Sequence, residues 1–103
     1  MDQFDNVSII KKANIYFEGN VTSRSVIFSD GTRKTLGIML PGNYQFNTDE
    51  KEFMEILSGT LDVRLPEGEW QSFSDGGNFE VPKNSSFELK VHTITDYCCS
   101  FIK

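Results

Sequence analysis

The sequence is poor in the residues that build metal centres and cross-links. Its 103 residues include one histidine and two cysteines, and the cysteines, Cys98 and Cys99, are adjacent. Neighbouring side chains in a strand point to opposite faces, so these thiols cannot pair in an ordinary disulfide. Two thiols alone do not make a zinc site. We therefore expect one cysteine to be a small buried side chain and the other to be a surface thiol.

Positive charge is also scarce. Ten Lys and Arg against fifteen Asp and Glu give a formal net charge of −5. This charge repels polyanions, so we expect no nucleic acid and no membrane partner, although one local cationic pocket can still hold a small anion such as phosphate. The chain lacks an apolar run long enough to cross a bilayer. Its start, MDQFDNVSII, does not resemble a signal peptide, so we expect a cytoplasmic protein.

No segment shows the sustained 3.6-residue period of a helix. Short segments in which apolar and polar residues alternate occur instead. They recur at roughly 8–12-residue spacing between Gly, Pro, Asp and Ser residues. The pattern predicts a single all-β domain, a sandwich or barrel, with at most a turn or two of helix near the N-terminus. The predicted strands are VTSRSVIF, TLGIML, NYQF, EFMEIL, TLDVRL, WQSF, NFEV, FELKV and DYCCSFI.

Alternation also predicts which side chains face the core. Phe87, Leu89 and Val91 share one face of their strand, which places the single histidine, His92, on the other face with Lys90. We therefore interpret His92 as a solvent-exposed side chain rather than a metal ligand.

Two segments resemble the metal-binding motifs of the cupin family with their histidines replaced. In the segment from Gly42 to Gly59, Glu52 fits the motif glutamate, and Thr48 and Glu50 stand at the histidine positions. In the second segment Phe87 stands at the histidine position. One carboxylate does not replace three imidazoles as a transition-metal site, so we expect a cupin without a metal site.

A wider pattern begins with the segment NIYFEGNVTS, residues 14–23, and continues to residue 102. This pattern resembles the pyrimidine/purine nucleoside phosphorylase family, whose members are small metal-free cupins. It implies a single-domain RmlC-like jelly-roll β-barrel over residues 13–103 after an N-terminal extension over residues 1–12. Further matching positions include Gly37, Met39, Gly42, Tyr44, Phe46, Met54, Ser58, Gly59, Trp70, Phe79, Pro82, Phe87, Tyr97 and Cys99. Ser100 departs from the basic residue expected in the closing strand.

The resemblance implies phosphorolysis, in which a purine or pyrimidine nucleoside and inorganic phosphate give the free base and ribose 1-phosphate. The partners would be nucleosides and phosphate, with phosphate as co-substrate and no cofactor. We also expect a homodimer, because small sheets often cover an edge or an apolar face by pairing. One alternative is a non-enzymatic cupin that binds a sugar or nucleoside. Another is a metal-dependent cupin that uses carboxylates and Cys98 or Cys99.

Arg33 is the predicted phosphate ligand, because a guanidinium pairs with two phosphate oxygens at once. It leads into the TLGIM strand, where its same-face neighbours are small or adaptable. Arg24 is the next candidate, whereas Arg64 should point to solvent. The competing interpretation is a solvated arginine at the start of a strand.

Glu52 is the second predicted catalytic residue. It shares a face with Met54 and Ile56, and a carboxylate on an inward face needs a partner. We expect it to accept hydrogen bonds from ribose hydroxyls or to pair with the arginine, and the competing interpretation is a salt bridge at the barrel rim. Stacking on the nucleoside base, an interaction that does not depend on base identity, is predicted for the aromatic residues Tyr44, Phe46, Phe79 and Tyr97. The competing interpretation is that these rings only fill the hydrophobic core.

Overall fold

The computed structural model of the protein describes residues 2–103, which form eleven β-strands and one 3₁₀ turn, Phe17–Gly19. Within this range no helix is long and apolar enough to span a membrane. The strands are β1 (Ser8–Ile9), β2 (Asn14–Tyr16), β3 (Val21–Ile27), β4 (Arg33–Met39), β5 (Gly42–Asn47), β6 (Lys51–Ser58), β7 (Leu61–Arg64), β8 (Trp70–Phe73), β9 (Asn78–Val81), β10 (Ser86–Val91) and β11 (Thr95–Ile102).

The strands form two antiparallel sheets that face each other. The larger sheet has the order β1-β3-β4-β11-β6-β9, with β2 also paired to β3, and the smaller has the order β5-β10-β7-β8. The all-β prediction is therefore confirmed, and each predicted strand is present. Strand pairing stays within each of the two sheets, so the ladders do not run continuously around a closed barrel.

The core fills the space between the sheets with the apolar half of each alternating strand. Phe87, Leu89 and Val91 are all buried, as alternation predicts, and His92 is exposed. The His92 Nε2 atom lies 3.0 Å from an Asp62 carboxylate oxygen on the outer face of the small sheet. The exposed histidine is thus confirmed, and its ring nitrogen is held by this carboxylate.

The segment before the first predicted strand adds to the large sheet. Ser8 and Ile9 of β1 pair with Ile27 and Val26 of β3, and the Phe4 ring packs edge-on against Phe28. These contacts place part of the predicted N-terminal extension against the sheet, whereas Met1 lies outside the described residues. The short strands β1 and β2 have too few residues to show an alternating pattern.

The prediction of one surface thiol is wrong, because both cysteines are buried. Cys99 faces the interior of the sandwich, and Cys98 lies on the outer face of the large sheet. There β11 is a central strand, so the register partners Leu36 and Glu55 flank Cys98 on both sides. Burial raises the pKa of the Cys98 thiol, which therefore stays neutral.

Gly37 provides a test of the packing in the large sheet. A Cβ atom there would meet the Thr22 carbonyl oxygen and would lie 2.8 Å from the Tyr97 ring. Gly37→Ala should therefore displace the tyrosine and lower the free energy of unfolding by about 1–3 kcal/mol, measured by urea denaturation. The control is Gly68→Ala in a turn, where stability should change by less than about 0.5 kcal/mol. Equal effects of the two variants would contradict this account.

Candidate functional site

A cavity of about 1090 Å³ opens between the two sheets. The β3–β4 turn, the β5–β6 loop and the C-terminal residues line its mouth, and the inner face of the large sheet forms one wall. Phe46, Phe87 and Leu89 of the small sheet form the opposite wall. The cavity therefore has a polar wall on one sheet and an apolar, largely aromatic wall on the other.

Arg33 and Glu52 reach this cavity from the two strands that flank β11. Phe101 pairs with Glu52 in the β11–β6 ladder, and the Arg33 guanidinium carbon lies 4.4 Å from the centroid of the Phe101 ring. The guanidinium therefore stacks on the ring, a contact that orients it without neutralising its charge. Among residues 2–103 neither Arg33 nor Glu52 takes part in an ion pair. The two predicted catalytic residues thus face one cavity, and neither has a salt-bridge partner there.

The surroundings of Glu52 favour its protonated form. Burial raises the pKa of the Glu52 carboxyl, and the nearby Asp49 and Glu50 carboxylates raise it further. The Cys99 thiol and the Arg33 guanidinium lower this pKa in part. Glu52 is therefore a half-buried carboxyl group, and its protonation depends on the Cys99 thiol and the Arg33 guanidinium near it.

A row of hydroxyl groups that sequence reasoning missed lies on the same wall. This row consists of Ser23, Ser25 and Thr35, which are buried on β3 and β4; Ser23 and Thr35 line the cavity, and Ser25 does not. The Asn14 side-chain nitrogen donates to the Ser23 and Ser25 oxygens at 3.2 and 3.3 Å. The sequence feature that could have revealed these hydroxyl groups is VTSRSVI, in which serines occupy the inward positions between Val21 and Ile27.

Tyr97 and Cys99 complete this wall as neutral groups. Burial raises the pKa of the Tyr97 phenol, with Ser23 beside it lowering that pKa slightly. Burial and the neighbouring Glu52 carboxylate raise the pKa of the Cys99 thiol. A thiol without thiolate character is a poor nucleophile, so Cys99 acts here as a neutral wall residue.

The four aromatic residues predicted to stack on a base divide into two pairs. Phe46 and Tyr97 line the cavity. Tyr44 is buried with its hydroxyl donating to the Leu40 carbonyl oxygen at 2.6 Å. The Phe79 ring packs in the core at 4.9 Å from Phe73. The aromatic lining that sequence reasoning did not assign to a ligand consists of Tyr16, Phe87 and Phe101.

The positions that hold histidine in metal-binding cupins serve other purposes here. The Thr48 hydroxyl donates to the Pro82 carbonyl oxygen at 2.6 Å and accepts from the Ser85 amide at 3.1 Å. It thereby fastens the β5–β6 loop to the loop that precedes β10, while Phe87 packs against the Phe46 ring at 5.9 Å. In the described part of the chain no three His, Cys, Asp or Glu side chains are placed to hold a metal ion.

Arg24 and Arg64 lie away from this cavity. The Arg24 Nε atom donates to the Lys11 carbonyl oxygen at 3.3 Å, and Arg64 is exposed on the small sheet. Of the three arginines considered from sequence, Arg33 is the one that lines the cavity.

Solved structures agree with the fold described above. A crystal structure from Acinetobacter sp. ADP1 superposes with a TM-score of 0.93 at 43% identity, covering 97% of this chain and 98% of that chain. An RmlC-like cupin from Shewanella frigidimarina superposes with a TM-score of 0.72 at 15% identity, covering 98% and 93%. The second similarity supports the fold alone, and it confirms the cupin architecture.

Sequence comparison identifies the family. The family described as pyrimidine/purine nucleoside phosphorylase matches residues 11–101. A relative of that name from Chlorobium chlorochromatii is 68% identical over 102 residues, covering 99% of each chain. Another from Sulfurimonas denitrificans is 61% identical over 103 residues, covering 100% of each chain. The chain therefore belongs to the pyrimidine/purine nucleoside phosphorylase family.

Proposed function

We propose that this protein is a cytoplasmic nucleoside phosphorylase on a cupin barrel, which converts purine and pyrimidine nucleosides and inorganic phosphate to free base and ribose 1-phosphate. The observation that carries the proposal is the placement of Arg33 and Glu52 on either side of Phe101 in one cavity. The names of the relatives at 68% and 61% identity support it.

The size of the cavity suits two substrates bound together. Pockets for small ligands commonly measure about 300–1,000 Å³, and this one reaches about 1090 Å³. A nucleoside and a phosphate ion therefore fit side by side. Such proximity lowers the barrier, because it converts a reaction between two molecules into one within a single complex.

In phosphorolysis the main task of the protein is to position the phosphate anion and the charged side chains around the reacting sugar. A phosphate oxygen forms a bond to the anomeric carbon while the glycosidic C–N bond breaks, and the bonding electrons leave with the base, which takes up the proton that the hydrogen phosphate loses. The sugar passes through an oxocarbenium-like state, as in glycoside cleavage. Because phosphate is already an anion, no general base is required, and Arg33 holds it through charge-assisted hydrogen bonds.

Glu52 and the aromatic wall hold the nucleoside. The Glu52 carboxylate accepts hydrogen bonds from ribose hydroxyls and favours positive charge developing on the sugar. Phe46 and Phe87 present ring surface from the opposite sheet, with Tyr16 packed edge-on against Phe46 at 5.8 Å. Stacking does not depend on base identity, which supports use of both purines and pyrimidines.

We also propose that two copies pair through the outer face of the large sheet. Ile15 and Ile38 flank Thr22 across the β2–β3–β4 ladders and are exposed. Apolar side chains grouped on one exposed face are typical of interaction surfaces.

The activity itself is tested by incubating the protein with uridine and with inosine, each with and without phosphate. Free base should appear only when phosphate is present, and EDTA should leave the rate unchanged because no metal takes part in the proposed step. Base release without phosphate would indicate a hydrolase. Binding of nucleoside with no release under either condition would indicate the non-enzymatic alternative.

Arg33→Ala should raise the phosphate KM about ten- to a hundredfold, the loss expected for hydrogen bonds to a charged group. The nucleoside KM should change less, because the guanidinium contacts the nucleophile. Arg33→Lys should recover only part of the loss, since an ammonium lacks the bidentate geometry. Arg64→Ala, an exposed arginine on the other sheet, is the control. An unchanged phosphate KM in Arg33→Ala would remove this residue from the phosphate site.

Glu52→Gln should lower turnover and abolish the acidic limb of the activity profile, which reflects protonation of Glu52 at its raised pKa. Protonation of Glu52 should affect folding stability in the direction opposite to its effect on activity.

The folded state binds the Glu52 proton more tightly than the unfolded state does. Glu52 therefore adds to the free energy of unfolding below its ordinary pKa of 4.5, and this stabilisation is lost as the pH rises through the raised pKa.

Thermal unfolding of wild type and Glu52→Gln across this pH range checks the sign, and Glu55→Gln on the opposite face of β6 is the matched control. If Glu52→Gln loses stability while each folded molecule keeps full activity, Glu52 is a structural residue of the rim.

A further inference from the structure

We propose that Phe101 is a positioning residue that separates Arg33 from Glu52, so that the guanidinium binds phosphate instead of forming an ion pair with the carboxylate. The inference rests on the proposed function, in which Arg33 holds phosphate and Glu52 holds ribose. It gives a role in the reaction to a cavity-lining ring that sequence reasoning did not assign to a ligand.

Arg33, Phe101 and Glu52 lie side by side on three neighbouring strands. Phe101 pairs directly with Glu52 in the β11–β6 ladder. The β11–β4 ladder ends with the pair Ser100 and Lys34. The next position along both strands therefore places Phe101 beside Arg33. All three side chains line the same cavity.

The spacing of the strands would let Arg33 and Glu52 meet if the side chain between them were small. Neighbouring strands lie about 4.8 Å apart, so the backbones of β4 and β6 are about 10 Å apart across β11. An extended arginine and a glutamate together cover such a gap. Glu52 is half-buried, and an opposite charge nearby stabilises its ionised form. The Phe101 ring occupies the space in which the two side chains would pair.

The contacts of Arg33 are with the ring and not with a carboxylate. The guanidinium carbon lies over the Phe101 ring at 4.4 Å from its centroid, and within residues 2–103 Arg33 forms no ion pair. Burial raises the pKa of the Glu52 carboxyl, and the Arg33 guanidinium lowers it only in part. The two charges are therefore near enough to interact, and the ring holds them apart.

A ring contact and an ion pair have different consequences for anion binding. A guanidinium presents its N–H groups in a planar fork that fits two oxygens of a carboxylate or of a phosphate. If Glu52 occupied that fork, phosphate would have to displace it, and Glu52 would be withdrawn from the ribose. A ring attracts the positive charge without offering oxygen atoms. Phe101 therefore holds Arg33 in place and leaves the fork to phosphate.

The protonation of Glu52 reports on this separation. Its surroundings are apolar on the β9 side, where it pairs with Val81, and on the opposite sheet. The titratable groups that face it are Arg33 from β4, Cys99 and Tyr97 from β11, and Asp49 and Glu50 from the β5–β6 loop. Because Arg33 is the cation of this set, an ion pair between Arg33 and Glu52 would lower the pKa of the Glu52 carboxyl.

Phe101→Leu tests the proposal, because it removes the ring and keeps an apolar side chain. The phosphate KM should rise about three- to thirtyfold, as the cation–π contact is lost and Glu52 competes for the guanidinium. Phe101→Tyr, which keeps the ring, should stay near wild type. Phe73→Leu is the matched control, since Phe73 is also a partly buried ring against the core but does not line the cavity. An unchanged phosphate KM in Phe101→Leu would overturn the proposal.

Titration of Glu52 separates ion pairing from a general loosening of the site. The carboxyl carbon is followed by NMR in labelled protein without substrate, and its signal is assigned by its loss in Glu52→Gln. The pKa of Glu52 should fall in Phe101→Leu, because the guanidinium then pairs with the carboxylate. In an Arg33→Ala background the same substitution should leave this pKa unchanged. An equal fall in that background would mean that entering water lowers the pKa, and the separating role of Phe101 would be wrong.

Calorimetric phosphate binding tests the competition directly. Glu52→Gln added to Phe101→Leu should restore part of the phosphate affinity, because a neutral amide holds a guanidinium less strongly than a carboxylate does. Equally weak binding by the single and the double variant would contradict competition by Glu52. If wild type releases base without any phosphate requirement, the proposed function fails, and the Glu52 titrations with and without Arg33 still decide whether Phe101 separates the two side chains.

Discussion

The central position of β11 between β4 and β6 is the constraint on which the site depends. Antiparallel register places Phe101 beside Glu52 on one flank, while the Arg33 guanidinium stacks on the same ring from the other. A slip of one residue in either ladder would turn these side chains to the outer face. The proposed catalytic arrangement is therefore a property of strand pairing, and the two residues, nineteen positions apart in the sequence, are brought together by a third strand.

The loss of the metal-binding histidines is compensated by contacts of a different kind. Thr48 fastens two loops at the mouth of the cavity, and Phe87 becomes part of an aromatic wall. Burial keeps the Tyr97 phenol and the Cys99 thiol neutral and raises the pKa of the Glu52 carboxyl. The result is a cavity lined by hydroxyl groups, the Arg33 guanidinium and aromatic ring surfaces.

Alternation was sufficient to locate the strands from β3 to β11 and their inward faces, because an amphipathic strand must turn its apolar side chains toward a common core. The same reasoning placed Glu52 inward and Arg64 outward. It failed for Cys98, since burial on an outer face depends on the flanking strands. It could not separate Phe46, which lines the cavity, from Phe79, which fills the core, because both lie on inward faces.

The sequence by itself determined the strands, their inward faces, the absence of the cupin histidines and the resemblance to a family. Each of these depends on residue type and local period, which the chain carries without reference to distant segments. The tertiary structure alone decided that Asn14 meets Ser23 and Ser25, that Arg33 stacks on Phe101, and which aromatic rings reach the cavity. Those relations depend on strand order and register, which are set by pairing between segments far apart in the chain.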